Sequence, residues 1–153
     1  MSRLMVTRFN KHTWNENMRW REKNEYMGSI YNSPVYIKDG IPLLITIYVI
    51  EMNNDINKII GFGKIINKVY TDRKYNIYED RNYNRYTYRG NIRIDIENIK
   101  KDENDEITEK MKDLEKRLFK GKWHLKRGQG ITQIPNNVEN KYLKFIEEKI
   151  FNL

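Results

Sequence analysis

Residue types that commonly carry catalysis are few in this chain, and none stands at a spacing that predicts an active site. Histidine occurs only as His12 and His124, and neither is expected to have a second metal ligand at a suitable spacing. The stretch GFGK from Gly61 to Lys64 lacks the length and the hydroxyl of a phosphate-binding P-loop. The absence of cysteine excludes disulfides, thiolate nucleophiles and cysteine-ligated zinc. We therefore predict a protein that is not an enzyme and that uses no metal and no cofactor.

Residues that could bind an anionic partner are more numerous, because positive charge is both abundant and concentrated in this sequence. The chain has 29 Lys and Arg against 21 Asp and Glu, a net charge of +8. The run KRLFKGKWHLKR, residues 116–127, holds six of these cations and no acid. A block of one sign attracts a polyanion whatever its sequence, and the helix dipole explains only the first three cations. Codon bias of an AT-rich genome, typical of some large DNA viruses, is an alternative source of part of the basic excess.

A second basic feature is the segment NYNRYTYRGNIRIDIEN, residues 82–98, in which residue character alternates with period two. This period predicts one long strand with an apolar face and a wet, basic face. Arg85, Arg89 and Arg93 fall on the wet face, with Tyr83 nearby. On such a face the arginines could hold phosphates while the aromatic ring stacks on a base. A merely solvated outer face is the alternative.

Polar and aromatic residues that could read a base stand elsewhere in the chain. Ser29, Asn32 and Ser33 fall in a predicted loop, and Asn53 and Asn54 follow an apolar strand. Their amides and hydroxyls would supply donors and acceptors beside a tryptophan ring. Three tryptophans are available, and their spacing predicts that Trp14 and Trp20 do not both belong to the core.

The elements that must position these residues are predicted from apolar periodicity and turn signals. Their order indicates a single α+β domain over residues 1–153, with mixed strands and no βαβ rhythm. The longest apolar run, Ile41–Ile50, is too short for a membrane span, and no signal peptide is seen. We therefore expect an intracellular, reducing location, either cytoplasm or nucleus, or a viral factory or virion if the protein is viral. The predicted elements are strand 3–9, helix 14–23 capped by Thr13, loop 26–40, central strand 43–51, strand 58–70, strand 83–97, an amphipathic helix through Ile107, Met111, Leu114 and Leu118, strand 131–134 and a closing helix from Val138 to Ile150.

Four stretches of the sequence resemble the PUA-like superfamily, in particular its EVE branch, which is related to the YTH and ASCH domains. IIGFGKIINKVYTD (59–72) is similar to the glycine-containing strand of that family, and YNRYTYRGNIRIDI (83–96) to its companion strand. LKRGQGITQIPNNVENKYLKFI (125–146) is similar to the closing pattern of basic residue, short strand, proline and helix. GSIYNS (28–33) falls where the family has a loop lining its pocket.

The resemblance implies a pseudo-barrel of mixed, mostly antiparallel strands flanked by helices, with a charged helical insertion at about 101–120. It also implies binding of RNA or DNA through one base, which is modified in some family ligands. Asn32 and Ser33 match pocket positions of the family, Trp14 is similar to its aromatic residue near the N-terminus, and Lys126 and Arg127 match its basic position before the last strand. Together with the residue chemistry, this predicts a base pocket of Trp14, Ser29, Tyr31, Asn32, Ser33, Asn53, Asn54 and Trp123, and phosphate contacts from Arg85, Arg89, Lys120, Lys122, Lys126 and Arg127.

Two other functions remain open at this point. A structural or host-interaction protein would keep the scaffold, lose the pocket and use the basic patch to bind an acidic protein. A nuclease would need a metal site, for which the sequence offers no support.

Overall fold

The structure is a computed structural model that describes residues 1–99 and 106–152. These residues form an α+β fold with a mixed five-stranded sheet, a two-stranded sheet and three helices, which confirms the predicted class. In chain order the elements are β1 (Ser2–Phe9), α1 (Lys11–Lys23), β2 (Ser29–Ser33), β3 (Thr46–Asn53), β4 (Lys58–Ile66), β5 (Tyr86–Gly90), β6 (Ile92–Asp95), α2 (Glu106–Phe119), β7 (Thr132–Gln133) and α3 (Asn136–Phe145), the last extended by a π turn over Ile146–Ile150.

The larger sheet has the strand order β6-β4-β3-β1-β7, and β2 and β5 form the smaller one. β1 runs parallel to β3, and every other pair is antiparallel. The predicted central strand is confirmed, since β3 lies between β1 and β4. The described strands form two open sheets and no closed barrel.

Both faces of the larger sheet are covered, because alternate side chains of each strand point to opposite sides. On one face Leu4, Ile50 and Phe62 pack against α2 and α3. On the other face Met5 and Val49 pack against the smaller sheet and α1. The predicted amphipathic helix is confirmed as α2, which buries Met111, Leu114, Leu118 and Phe119 in the first of these clusters. Residues 101–105 of the predicted insertion lie outside the described residues.

Helix α1 begins three residues earlier than predicted, and its cap is Asn10 instead of Thr13. Asn10 Oδ1 accepts a hydrogen bond from the Thr13 backbone N–H at 2.8 Å, and Thr13 Oγ1 accepts one from the Asn10 N–H at 3.0 Å. Thr13 therefore occupies the third helical position of a reciprocal capping box. Two polar residues each satisfied the capping pattern, and the sequence-based prediction chose the wrong one.

The prediction that residues 26–40 form a loop is wrong over Ser29–Ser33, which forms β2 with all five residues buried. Residues that usually favour turns are tolerated here because their side chains find partners elsewhere in the fold. Ser29 Oγ, for example, donates to the Ile92 carbonyl. A Cβ at Gly63 of β4 would overlap with the Tyr31 hydroxyl, so glycine allows the smaller sheet to pack directly on the larger one.

The single strand predicted over 83–97 is also wrong, because Asn91 separates β5 from β6 and each pairs in a different sheet. A Cβ at Gly90 would overlap with the Lys64 carbonyl oxygen, so this position lets the chain cross closely over β4. The crossing changes which side chains face inward. The Arg93 side chain is only 6% exposed, whereas Ile92 is 43% exposed, so the predicted wet face does not continue past Gly90.

None of the helices in the described ranges is both long and apolar enough to cross a bilayer.

Candidate functional site

A cleft with a volume of about 850 Å³ is formed by the segment between β4 and β5. We call it the 70–87 cleft. Tyrosines and cations alternate along its lining: Tyr70, Arg73, Lys74, Tyr75, Tyr78, Arg81 and Arg85. The segment is irregular, with a 3-10 turn over Arg81–Asn84, and it is held by buried contacts of Tyr75 and Tyr78 with the cluster beneath. The buried rings thus fix the segment while its cations face solvent.

The four cations of the 70–87 cleft are all exposed. Within residues 1–99 and 106–152, none of them forms an ion pair with a carboxylate. Arg73 instead lies over two rings, with its Cζ 4.8 Å from the Tyr75 centroid and 5.5 Å from the Trp20 centroid. Glu79 is the one acid among the residues lining the cleft, so this lining carries a net positive charge. Such a surface concentrates anions.

A smaller cavity, which we call the Asn32 cavity, lies beside the cleft and has a volume of about 190 Å³. Phe9, Tyr31, Tyr78 and Tyr83 contribute aromatic walls. Tyr78 lines both the cleft and the cavity, so the two are neighbours. Pockets for drug-sized ligands are larger, roughly 300–1,000 Å³, so this cavity suits one planar fragment of a ligand.

Two of the residues that line the Asn32 cavity, Arg8 and Asn54, each have one side-chain atom that finds no hydrogen-bond partner among the described residues: Arg8 Nη1 and Asn54 Oδ1. Both are buried, and leaving such a group unpaired costs about 1–3 kcal/mol. The rest of the Arg8 guanidinium is engaged, with Nε donating to the Leu125 carbonyl at 2.5 Å and Nη2 donating to Thr132 Oγ1 at 2.8 Å. Burial lowers the pKa of Arg8 to about 10, so the side chain stays cationic at neutral pH.

The loop from Leu125 to Gly130 forms one rim of the Asn32 cavity. Gly128 has a φ of +130°, and a Cβ there would lie 3.0 Å from Arg8 Cζ. Gly130 has a φ of +74°, and a Cβ there would overlap with Ser33 Oγ. Both glycines therefore allow the backbone to lie against the cavity wall in a left-handed conformation that other residues disfavour. Lys126, on the same loop, adds a cation to the lining.

Three of the eight predicted pocket residues line the Asn32 cavity: Tyr31, Asn32 and Asn54. The Asn32 amide is used internally. Its Nδ2 donates to the Tyr75 carbonyl at 2.6 Å and to Asn84 Oδ1 at 2.9 Å, and its Oδ1 accepts from Thr87 Oγ1 at 2.6 Å. The Tyr31 hydroxyl donates to Glu51 Oε2 at 2.6 Å. Asn32 and Tyr31 thus shape the cavity, and the Asn54 amide is held by its Nδ2, which donates to the Lys126 carbonyl at 2.8 Å.

The other predicted pocket residues lie apart from the cavity. Ser29, Ser33 and Asn53 are buried, and their side chains bond to nearby backbone groups. Trp14 packs edge-on against Phe9 at 5.3 Å, and the guanidinium groups of Arg21 and Arg93 lie over its ring at 5.2 and 4.8 Å. Trp14 and Trp20 are both half-buried and pack against the same apolar cluster, and neither is one of its fully buried residues.

Trp123 belongs to a third feature, the Trp123 groove, which has a volume of about 600 Å³. Its indole is 78% exposed. The floor is apolar, with Leu118, Leu125 and Val138, and the rim carries Arg117, Lys120 and Lys122.

The predicted phosphate ligands are consequently divided among different places. Arg85 lines the 70–87 cleft, Lys126 lines the Asn32 cavity, and Lys120 and Lys122 line the Trp123 groove. Arg89 lies over the Tyr70 ring at 4.2 Å, at the edge of the cleft. Arg127 is exposed and lines none of the three.

Sequence reasoning missed Arg8, Arg73, Lys74 and Arg81. The signal for the last three is the run YTDRKYNIYEDRNYNRY, residues 70–86, where cations and tyrosines interleave. It also missed the pair His12 and Glu16, which are one helical turn apart. Together with Glu79, their side chains bring three potential metal-ligand atoms within 4.8 Å of one another. Glu16 Oε2 accepts from the Glu79 backbone N–H at 2.7 Å, so this exposed cluster attaches the cleft segment to α1.

Comparisons with models of protein families, with curated proteins and with solved structures found no match to this chain. The resemblance to the PUA-like superfamily accordingly stays a prediction, and function is argued from the geometry of the cleft and the cavity.

Proposed function

We propose that the protein binds single-stranded nucleic acid, with the backbone in the 70–87 cleft and one base in the Asn32 cavity. The observation that carries this proposal is the shared wall: Tyr78 joins a cleft of exposed cations to a cavity of aromatic walls. Phosphates need the first environment and an unstacked base needs the second. We expect binding without catalysis, and a modified base is one candidate ligand.

The cleft supplies attraction that does not depend on base sequence. Arg73, Lys74, Arg81 and Arg85 are exposed and lie along one cleft. Each phosphate neutralised by such a cation releases condensed counterions, so binding weakens as salt rises. Arginine also stacks on a base, which adds to its phosphate contact.

The cavity supplies the part of the binding free energy that depends on the base. Extruding one base from its stack costs a few kcal/mol, and stacking on aromatic side chains returns about 1–3 kcal/mol per base. Phe9, Tyr78 and Tyr83 offer such rings. The remaining cost is offset by the phosphate contacts and by polar contacts within the cavity.

We further propose that the fold is a PUA-like pseudo-barrel in an opened form. The close packing of β2 and β5 on β4, through Gly63 and Gly90, supports this proposal, because it brings the smaller sheet against the larger one as a barrel wall would. The helix α2 would then be the charged insertion of that fold.

Fluorescence anisotropy with labelled ten-nucleotide DNA and RNA tests the proposed function. For single strands the logarithm of affinity falls with the logarithm of salt by about 0.7 per phosphate contact. Four contacts predict a loss of about fiftyfold in affinity between 50 and 200 mM KCl. Replacing both Arg81 and Arg85 by Gln is expected to lower the slope by about 1.4.

The matched control is the double variant of Lys120→Gln and Lys122→Gln, which removes the same charge from the Trp123 groove. We expect it to leave the slope unchanged. Binding that is indifferent to salt, or an equal loss in both double variants, would contradict the proposal.

A second candidate function is supported by the Trp123 groove. A 78% exposed indole above an apolar floor, with Arg117, Lys120 and Lys122 at the rim, suits an acidic peptide with an apolar anchor. Titration with an acidic peptide that carries a central Leu, followed by Trp123 emission, tests this candidate. Saturable binding that is lost in Trp123→Ala would support it, and no spectral change would count against it.

A further inference from the structure

We infer that a second base of the bound strand stacks on the exposed ring of Tyr36, outside the Asn32 cavity. This inference rests on the proposed function and extends it from one base to two. It is carried by a pair of stacked rings beside the 70–87 cleft. The centroids of Tyr36 and Tyr86 are 3.8 Å apart, and their planes differ by 31°.

The Tyr36 ring keeps one face for a ligand. Tyr86 covers one side of this ring, yet Tyr36 is 61% exposed. A ring covered on both faces could not retain that exposure, so the side that faces away from Tyr86 is open to solvent. The stacked pair therefore ends in a flat aromatic surface that a planar base can cover.

The segment that carries Tyr36 is held on both sides. Ser33 Oγ donates to the Val35 carbonyl at 2.7 Å and accepts from the Val35 N–H at 3.1 Å. The Ile37 side chain is buried, and its N–H donates to the Tyr88 hydroxyl at 3.0 Å. Tyr36 is thus presented on a fixed backbone, which lowers the entropy lost when a ligand stacks on its ring.

The stacked pair is continuous with the cations of the cleft. Tyr86 stands between Arg85 and Thr87, and both of these residues line the cleft. Arg85 Cζ lies 5.6 Å from the Tyr86 centroid, so a phosphate held by Arg85 has an aromatic surface beside it. Pro34, two residues before Tyr36, lines the Asn32 cavity, so the second stacking position is close to the first.

Stacking on an open ring tolerates any base, because every base has a π face. Tyr36 is therefore expected to add affinity without selecting a sequence, whereas the cavity encloses its base. The two positions are thereby distinguishable by experiment.

The inference is tested with five-nucleotide thymine DNAs in which one position, varied from the first to the fifth, carries 2-aminopurine, a base whose fluorescence falls on stacking. Emission is measured at saturating protein in 50 mM KCl. We expect one quenched position to recover in Tyr83→Ala, which alters the cavity, and a different one to recover in Tyr36→Ala. Tyr36→Ala should also weaken binding of the ten-nucleotide strands about tenfold. Tyr36→Phe, which keeps the ring, should retain both the quenching and the affinity.

Leu43→Ala is the matched control, because it removes another exposed apolar side chain from the connection between β2 and β3. It should change neither quenching nor affinity. Salt-dependent binding in which Tyr36→Ala leaves every quenched position unchanged would overturn the inference and leave the proposed function standing. An equal loss in Leu43→Ala, or a loss in Tyr36→Phe as large as in Tyr36→Ala, would also overturn it, since the ring is then not what binds. No binding of any strand, including the ten-nucleotide ones, would overturn both.

Discussion

The carboxylate of Glu51 is buried in the middle of the larger sheet, where it joins three parts of the fold. Its Oε1 is 2.6 Å from Arg93 Nη2, and its Oε2 accepts from the Tyr31 hydroxyl at 2.6 Å. Arg93 also lies over the Trp14 ring of α1. Glycine at position 61 leaves room for the guanidinium, since a Cβ there would crowd it. The network thereby links β3, β6, the smaller sheet and α1.

We expect Arg93→Met to destabilise the protein by about 3–5 kcal/mol, because it leaves a carboxylate that is only 1% exposed without its cation. Urea unfolding measures the effect. Adding Glu51→Gln should recover part of the loss, since the buried charge is then removed together with its partner. Arg127→Met at an exposed position is the control, with an expected change within about 0.5 kcal/mol. A loss below 1 kcal/mol in Arg93→Met would show that the pair contributes little.

At the scale of elements, substitutions in α2 show whether this charged helix is an appendage or a part of the core. Leu114 is fully buried against the sheet. We expect Leu114→Ala to cost about 2–5 kcal/mol of unfolding free energy, as large-to-small substitutions in a packed core do. Lys112→Ala, at an exposed position of the same helix, should be nearly neutral. If both variants unfold at the same urea concentration as the parent, α2 is dispensable to the core.

Elements with a strong local pattern were predictable from the sequence. α2 and α3 carry apolar residues at the spacing of one buried face, and each forms close to its predicted position. β2 was not predictable, because Ser29 and Asn32 are stabilised by bonds to Ile92 and Thr87, which are distant in the chain. The break at Asn91 likewise depends on the crossing of Gly90 over β4.

The candidate site was predictable to a similar extent. The sequence indicated that Asn32 and Lys126 lie near one cavity, and the structure places both in its lining. It did not indicate Arg8, because a cation on an alternating strand is typical of a solvated face. The loop that returns 117 residues later, with the Leu125 carbonyl accepting from Arg8 Nε, covers part of this side chain.

At the scale of the whole molecule, the two apolar clusters share the strands of the larger sheet and should unfold together. Trp14 and Trp20 report on one cluster, while α2 and α3 belong to the other. In a Trp123→Phe background we expect tryptophan emission and far-ultraviolet ellipticity to give the same urea midpoint. Midpoints that differ would mean that the two faces unfold separately.

The outermost strands of the larger sheet are short: β6 has four residues and β7 has two. An uncovered edge is where a second chain can extend a sheet, and brevity at that edge is one of the ways proteins prevent it. The long, β-branched strands that would be prone to aggregation, β3 and β4, are enclosed between these short ones. We expect this ordering to disfavour fibrillar self-association at high protein concentration.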